Sequence, residues 1–191
     1  MRQPIEDGNV TISRVNHAVN FPARFMLVAA MNPCPCGYLG DPKHGCSCGS
    51  GQIQKYRSKI SGPLLDRIDI HIEVPPVDIR DLAEVRHEDP SQVIRERVAL
   101  ARDIQRARFS GRKIYANSQM SVRDIRKYCA HDHGAEKLLM AAVEKWALSP
   151  RAYHRILKVA RTICDLEAID MIGELHVAEA LRYRVLDKRL T

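Results

Sequence analysis

Two stretches decide how this chain is read: Ala23–Gly37, ARFMLVAAMNPCPCG, and Ser61–Val74, SGPLLDRIDIHIEV. In the first, the apolar run from Phe25 to Met31 has the length and continuity of a buried β-strand. It delivers Asn32, and Pro33 stops it because proline has no N–H to give a ladder. In the second, the turn-forming Ser61, Gly62 and Pro63 lead into a short helical stretch that carries Arg67. Ile68, Ile70, Ile72 and Val74 then alternate as a strand does, and Pro75-Pro76 ends the run. Each strand therefore has a polar residue at one end, an amide in the first case and a guanidinium in the second.

Working outward, residues 2–7 read as a helix end closed by Gly8, and Val10–Ser13 as a short alternating strand. The segment between that strand and the apolar run, RVNHAVNFP, reads as a turn or hairpin tip. Residues 33–51 are too rich in Gly, Pro and Cys to be regular, and Gln52–Ile60 has helical spacing. Residues 77–90 read as a linker, after which the apolar period becomes helical. A helix over 91–109 is expected to bury Ile94, Val98, Ala101 and Ile104. Ser121 and Asp124 have the spacing of a capping box for a helix through Ala130. Another helix is expected over 135–147, one after Ser149-Pro150, a cap residue followed by proline at the first helical position, and a last over 173–186.

Together with MRQPIEDGNVTISR at the start and SPRAYHRILKVARTICDLE and HVAEALRYRVLD near the end, these motifs make the chain closely resemble the second half of the magnesium-chelatase-like AAA+ ATPases, the bacterial family that includes the competence-related ComM/YifB group. The resemblance implies an α/β plus all-α fold. Residues 1–78 would be the trailing part of an AAA+ P-loop-type core, with the Cys-rich loop at 33–51. Residues 79–90 would be a linker, and 91–191 a helical lid. It also implies a parent that uses ATP and Mg2+, assembles as a homo-oligomeric ring, and remodels DNA. A Walker A motif needs G-x-x-x-x-G-K-[ST], whose amides and lysine hold the phosphates. No Gly-Lys pair occurs in this sequence, and no apolar run ends in Asp-Glu as a Walker B strand does. The expected partner is therefore an amino-terminal half carrying both, and the chain by itself is expected to be inactive.

By resemblance, Asn32 is the sensor 1 candidate, an amide that orients the attacking water; as a residue type it suits a turn before Pro33 equally well. Arg67 is the arginine-finger candidate, against the alternative of a salt bridge to Asp66 or Asp69. Arg151 is the sensor 2 candidate: a cation in the first turn opposes the helix dipole unless an anion balances it, and Arg155, one turn on, is the other nucleotide-binding candidate. Arg14, in the hairpin tip, is the DNA-binding candidate through phosphate contact, or else an exposed turn residue.

The cysteine pattern stands on its own chemistry. Cys34, Cys36, Cys46 and Cys48 form C-x-C-x9-C-x-C, with His44 as a spare ligand. Four thiolates suit tetrahedral Zn2+, although C-x-C is tighter than the usual knuckle spacing; free thiols or a redox pair are the alternatives. Cys129 and Cys164 stand alone inside helical patterns and read as small buried apolar residues.

The chain has 191 residues, 45% of them hydrophobic, which is enough for a core. No apolar run is long enough to span a membrane, and the first residues lack the apolar region of a secretory signal, so a cytoplasmic location is the expectation. A net charge of +7 fits a polyanion partner or an ordinary basic surface. The rival to the ATPase reading is a non-catalytic, zinc-containing nucleic-acid-binding module.

Overall fold

The computed structural model describes residues 2–14, 17–76 and 89–184. It divides into two compact units, Met1–Ile68 and Asp69–Thr191. The fold is mostly helical, and its one sheet among the described residues has two strands. Among the described residues no helix is long and apolar enough to cross a membrane. Most of the expected linker, the hairpin residue Asn16 and the end of the last expected helix fall outside the described residues.

The first unit opens with helix α1 (Arg2–Asp7). Gly8 ends it at φ +65, a left-handed conformation natural to glycine, with its N–H on the Pro4 carbonyl. Strand β1 (Asn9–Arg14) then pairs antiparallel with β2 (His17–Pro22), Asn9 opposite Pro22 and Arg14 opposite His17. Residues 14–22, expected as a turn or hairpin tip, belong to a hairpin, with His17–Pro22 as its second arm. Helix α2 (Ser50–Arg57) and the short α3 (Gly62–Leu65), with Pro63 in its first turn, complete the unit.

The two expected strands are not formed. Residues 23–32 are irregular, and 68–74 show only one isolated bridge, between His71 and Arg184, with the His71 N–H 2.7 Å from the Tyr183 carbonyl. The physical reason is pairing. A strand exists only against a neighbour, and among the described residues no strand runs alongside either segment beyond that one bridge. Met26 and Val28 are consequently 88% and 82% exposed, and Phe25, Met31, Ile72 and Val74 are exposed with them. Among the described residues of this unit, Cys34 and Leu65 are the buried apolar ones.

The second unit holds the hydrophobic core. Its elements are α4 (Ser91–Arg108), a 3-10 turn (Asn117–Gln119), α5 (Val122–Tyr128), α6 (His133–Trp146), α7 (Pro150–Leu166) and α8 (Glu174–Arg182). The capping residues explain the boundaries. Ser121 accepts from the Asp124 N–H while the Asp124 carboxylate accepts from the Ser121 N–H, a closed capping box. Asp132 caps α6 through the Ala135 N–H, and Ser149 caps α7 through the Ala152 N–H. Helix α7 is the central element: Ile156, Leu157, Ala160, Ile163 and Cys164 are buried against Leu139 of α6 and Val177 and Leu181 of α8. Cys129 and Cys164 lie in this core, and burial pushes their thiols up to about 12 and about 11. Helix α4 differs from expectation. Ala101 and Gln105 are buried, whereas Ile94 and Val98, two turns and one turn earlier on the same face, are exposed.

Inside the core sits a polar cluster that the apolar pattern did not reveal. The fully buried Asp165 carboxylate accepts from both terminal nitrogens of Arg108, from Asn117 Nδ2 at 2.7 Å and from Arg161 Nε at 3.1 Å. Arg161 also donates to the carbonyls of Ile169 and Asp170, so one carboxylate joins α4, the 3-10 turn, α7 and the turn after it. Asp165→Ala leaves the buried Arg161 and the partly buried Arg108 guanidiniums without their anion. The expected loss is about 3–5 kcal/mol of stability, with Asp165→Asn intermediate. Denaturant unfolding of the two variants checks this; equal midpoints to wild type would show that the cluster is dispensable.

Candidate metal centre

The loop between Asn32 and α2 brings the four cysteines of the C-x-C-x9-C-x-C pattern to one point. Cys34 Sγ lies 3.3 Å from Cys36 Sγ and 3.7 Å from Cys46 Sγ, and Cys36 Sγ lies 3.6 Å from Cys46 Sγ. With Cys48 included, all four sulfurs lie within 4.8 Å of one another. A tetrahedral Zn2+ with bonds of ~2.3 Å places its sulfurs ~3.8 Å apart, so the cluster has the size of a four-thiolate site. The residues present therefore can hold a metal ion.

Local structure explains the convergence. Gly37, at φ +86, turns the chain so that its N–H meets the Cys34 carbonyl at 3.1 Å. Asp41 Oδ1 accepts from the N–H groups of Lys43 and His44 at 2.7 and 3.0 Å, a second turn that brings the chain back toward Cys46. Those two N–H groups also hold the Asp41 carboxyl below the usual carboxylate range. Arg57 of α2 donates its Nε to the Pro33 carbonyl at 3.3 Å and ties the loop's beginning to the helix beyond it. His44 has its ring 5.1 Å from that of Tyr38 and its Nδ1 3.5 Å from Asp41 Oδ2. The four cysteines form the cluster without it.

Charge in the cluster is uneven. The Tyr38 backbone chiefly, and neighbouring thiols, draw Cys36 below the ordinary thiol range and favour its thiolate. For Cys48 the Cys36 backbone favours the thiolate, but desolvation and the adjoining sulfurs prevail and push it up to about 12. The same opposition raises Cys46. Four sulfurs this close resist a second negative charge, and a divalent cation removes that penalty. With four protein ligands no position is left for a reacting water, so such a site is structural.

The other sequence-designated residues are spread over both units. Asn32 is exposed two residues before Cys34; a Cβ on Gly37 would stand 3.9 Å from its Nδ2. Arg67 is half-buried in the turn after α3, its guanidinium donating to the Pro63 carbonyl. Arg14, at the end of β1, is exposed. Arg151 is exposed in the first turn of α7, where Ser149 already caps one amide. Arg155 pairs with Asp69, and its Nε is buried with no hydrogen-bond partner among the described residues. Sequence reading missed the Asp165 cluster. Its only signal was Arg161 and Asp165 at helical spacing inside the apolar stripe of α7, a charged pair where a core face should run.

Residues 1–82 match the family model of the magnesium chelatase subunit ChlI, and residues 88–184 match that of the ChlI carboxy-terminal region. The whole chain is 44% identical to the competence protein ComM of Haemophilus influenzae, covering 36% of that protein. It is 38% identical to the uncharacterized protein YifB of Salmonella typhimurium and 36% identical to that of Escherichia coli, covering 37% of each. The chain thus spans little more than a third of the length of these curated relatives.

Proposed function

Because the chain belongs to the magnesium chelatase ChlI family, we propose that it supplies the carboxy-terminal part of an AAA+ ATPase whose ATP and Mg2+ are bound chiefly by the remainder of the relatives' length. Residues 1–78 would be the trailing part of the α/β core and 91–191 the lid. The observation that carries this reading is the run Phe25–Met31, an apolar segment left exposed and unpaired that ends on the amide of Asn32. Such a segment is stable as the inner strand of a sheet whose other strands come from elsewhere.

In this reading each polar residue has one task. Asn32 orients the attacking water. Arg67 reaches the nucleotide of a neighbouring subunit, which requires a homo-oligomeric ring. Arg151 meets phosphate at the amino terminus of α7, where the helix dipole favours an anion. Arg155 would join it only by giving up part of its contact with Asp69. Arg14 contacts DNA phosphate, and DNA is the substrate we assign to the motor. The four cysteines hold Zn2+, which staples a loop that has no apolar core of its own.

The test is reconstitution. ATP turnover is expected from this chain mixed with the preceding portion of the protein, and from neither alone. The cysteine cluster and the +7 charge favour one rival, a zinc-containing nucleic-acid-binding module without catalysis. Salt-sensitive DNA binding by the chain, with no turnover in any mixture, would decide for that rival.

A further inference from the structure

Away from every residue assigned above, the last turns of α4 and the segment Phe109–Tyr115 enclose an open groove of about 520 Å3. Arg102, Arg106 and Arg112 line it, Phe109 and Ile114 give it apolar surface, and Tyr115 stands at it 59% exposed. We propose that this groove binds a nucleoside phosphate, with the guanidiniums on the phosphate and the Tyr115 ring on the base. The inference rests on the groove alone and not on the ATPase reading.

Several features support it. Arg112 is held in place from behind: its two terminal nitrogens donate to the two oxygens of the buried Asp124 carboxylate, while its side chain stays 41% exposed. A guanidinium has five N–H donors, so donors remain for a second anion in a fixed orientation. Arg102 Nη1 is steadied by Gln105 Oε1 at 3.3 Å. Arg106 pairs with Asp103, but both side chains are more than 60% exposed, and a solvent-screened pair of this kind yields readily to a phosphate. Gly111 lies at φ +75 with nothing within 4 Å of where a Cβ would be, so the backbone there leaves room for a ligand. Asp103 and Asp124 are the carboxylates paired with these arginines, and three guanidiniums outnumber them. An exposed tyrosine among arginines has the chemistry of a stacking platform in a basic groove.

A nucleoside phosphate reaches such a groove either as a free nucleotide or as part of a nucleic-acid strand. Fluorescence anisotropy with a labelled oligothymidylate and with a fluorescent AMP analogue separates the two sources. Strand binding is expected. Arg102→Ala/Arg106→Ala should weaken it at least about tenfold and flatten the log–log salt dependence by about 1.4, two phosphates at ~0.7 each. Tyr115→Ala should weaken it by about tenfold, with Tyr115→Phe retaining the affinity. Binding of the AMP analogue alone, lost in the same variants, would keep the site and assign it to the free nucleotide. Folded groove variants with wild-type affinity, or no binding of either probe by the wild-type chain, would overturn the proposal. If Arg14→Ala alone removed strand binding, the groove would be rejected while the motor reading stood.

Discussion

Purified in the presence of zinc, the chain is expected to carry one Zn2+, and its removal by a chelator should unlock residues 33–49 while the helical unit keeps its melting temperature. Cys34 is fully buried, yet no apolar side chain of the 33–49 segment is buried with it, and short-range turns and a bond from Arg57 shape the loop. Ordering a segment of this kind costs roughly 1–2 kcal/mol per residue in backbone entropy, which a few turn hydrogen bonds do not offset. A four-thiolate zinc site in a small domain has an apparent binding energy of about 10–16 kcal/mol at neutral pH, and that energy is folding energy. Acidification should release the metal, because the ligands must be thiolates and protons compete for them. Cys46→Ser/Cys48→Ser should abolish stoichiometric zinc and reproduce the chelated state. The measurements are metal content by atomic emission and amide hydrogen exchange across the loop. A metal-free chain with undiminished protection at 33–49 would sink the zinc assignment and favour free thiols.

How much of this was legible in the sequence depended on range. Helix starts were, because caps are local: Ser121 with Asp124, and Ser149 with Pro150, each fix a first turn from neighbouring residues alone. The cysteine cluster was legible because ligand spacing is itself the signal. Strands were not. The period of Phe25–Met31 and Ile68–Val74 says which faces want burial, but whether a neighbour exists is not written in the segment. Helix α4 failed in the same way: its apolar face continues to Ile94 and Val98, while burial stops near Ala101 where the packed helices end. Strand β2 was missed because HAVNFP carries only half an alternating pattern and pairs through its backbone, with all six residues exposed. The Asp165 cluster was hidden because its members come from four separate stretches and each alone resembles a surface residue.

In the reconstituted assembly, Arg67→Ala is expected to lower ATP turnover by about 10³–10⁵-fold while nucleotide affinity is unchanged. The structure bears on the competing view of Arg67 as half of a salt bridge. Asp69, one of the two flanking carboxylates, is engaged by Arg155. Arg67 itself is folded back so that its guanidinium donates to the Pro63 carbonyl, at the turn that closes α3. A backbone carbonyl is a neutral acceptor. The contact holds the side chain at the α3 turn, and an anion arriving from another subunit would have to draw it away from there. The planar fork matters as well as the charge, so Arg67→Lys should recover little of the lost rate. Because the proposed finger acts between subunits, a chain carrying Arg67→Ala should regain turnover when co-assembled with a chain inactivated at Asn32. The first supplies a site with an intact amide, and the second supplies the guanidinium to it. Turnover of Arg67→Ala within about tenfold of wild type, or failure of the mixed assembly to recover any rate, would place Arg67 among the residues that merely close the α3 turn.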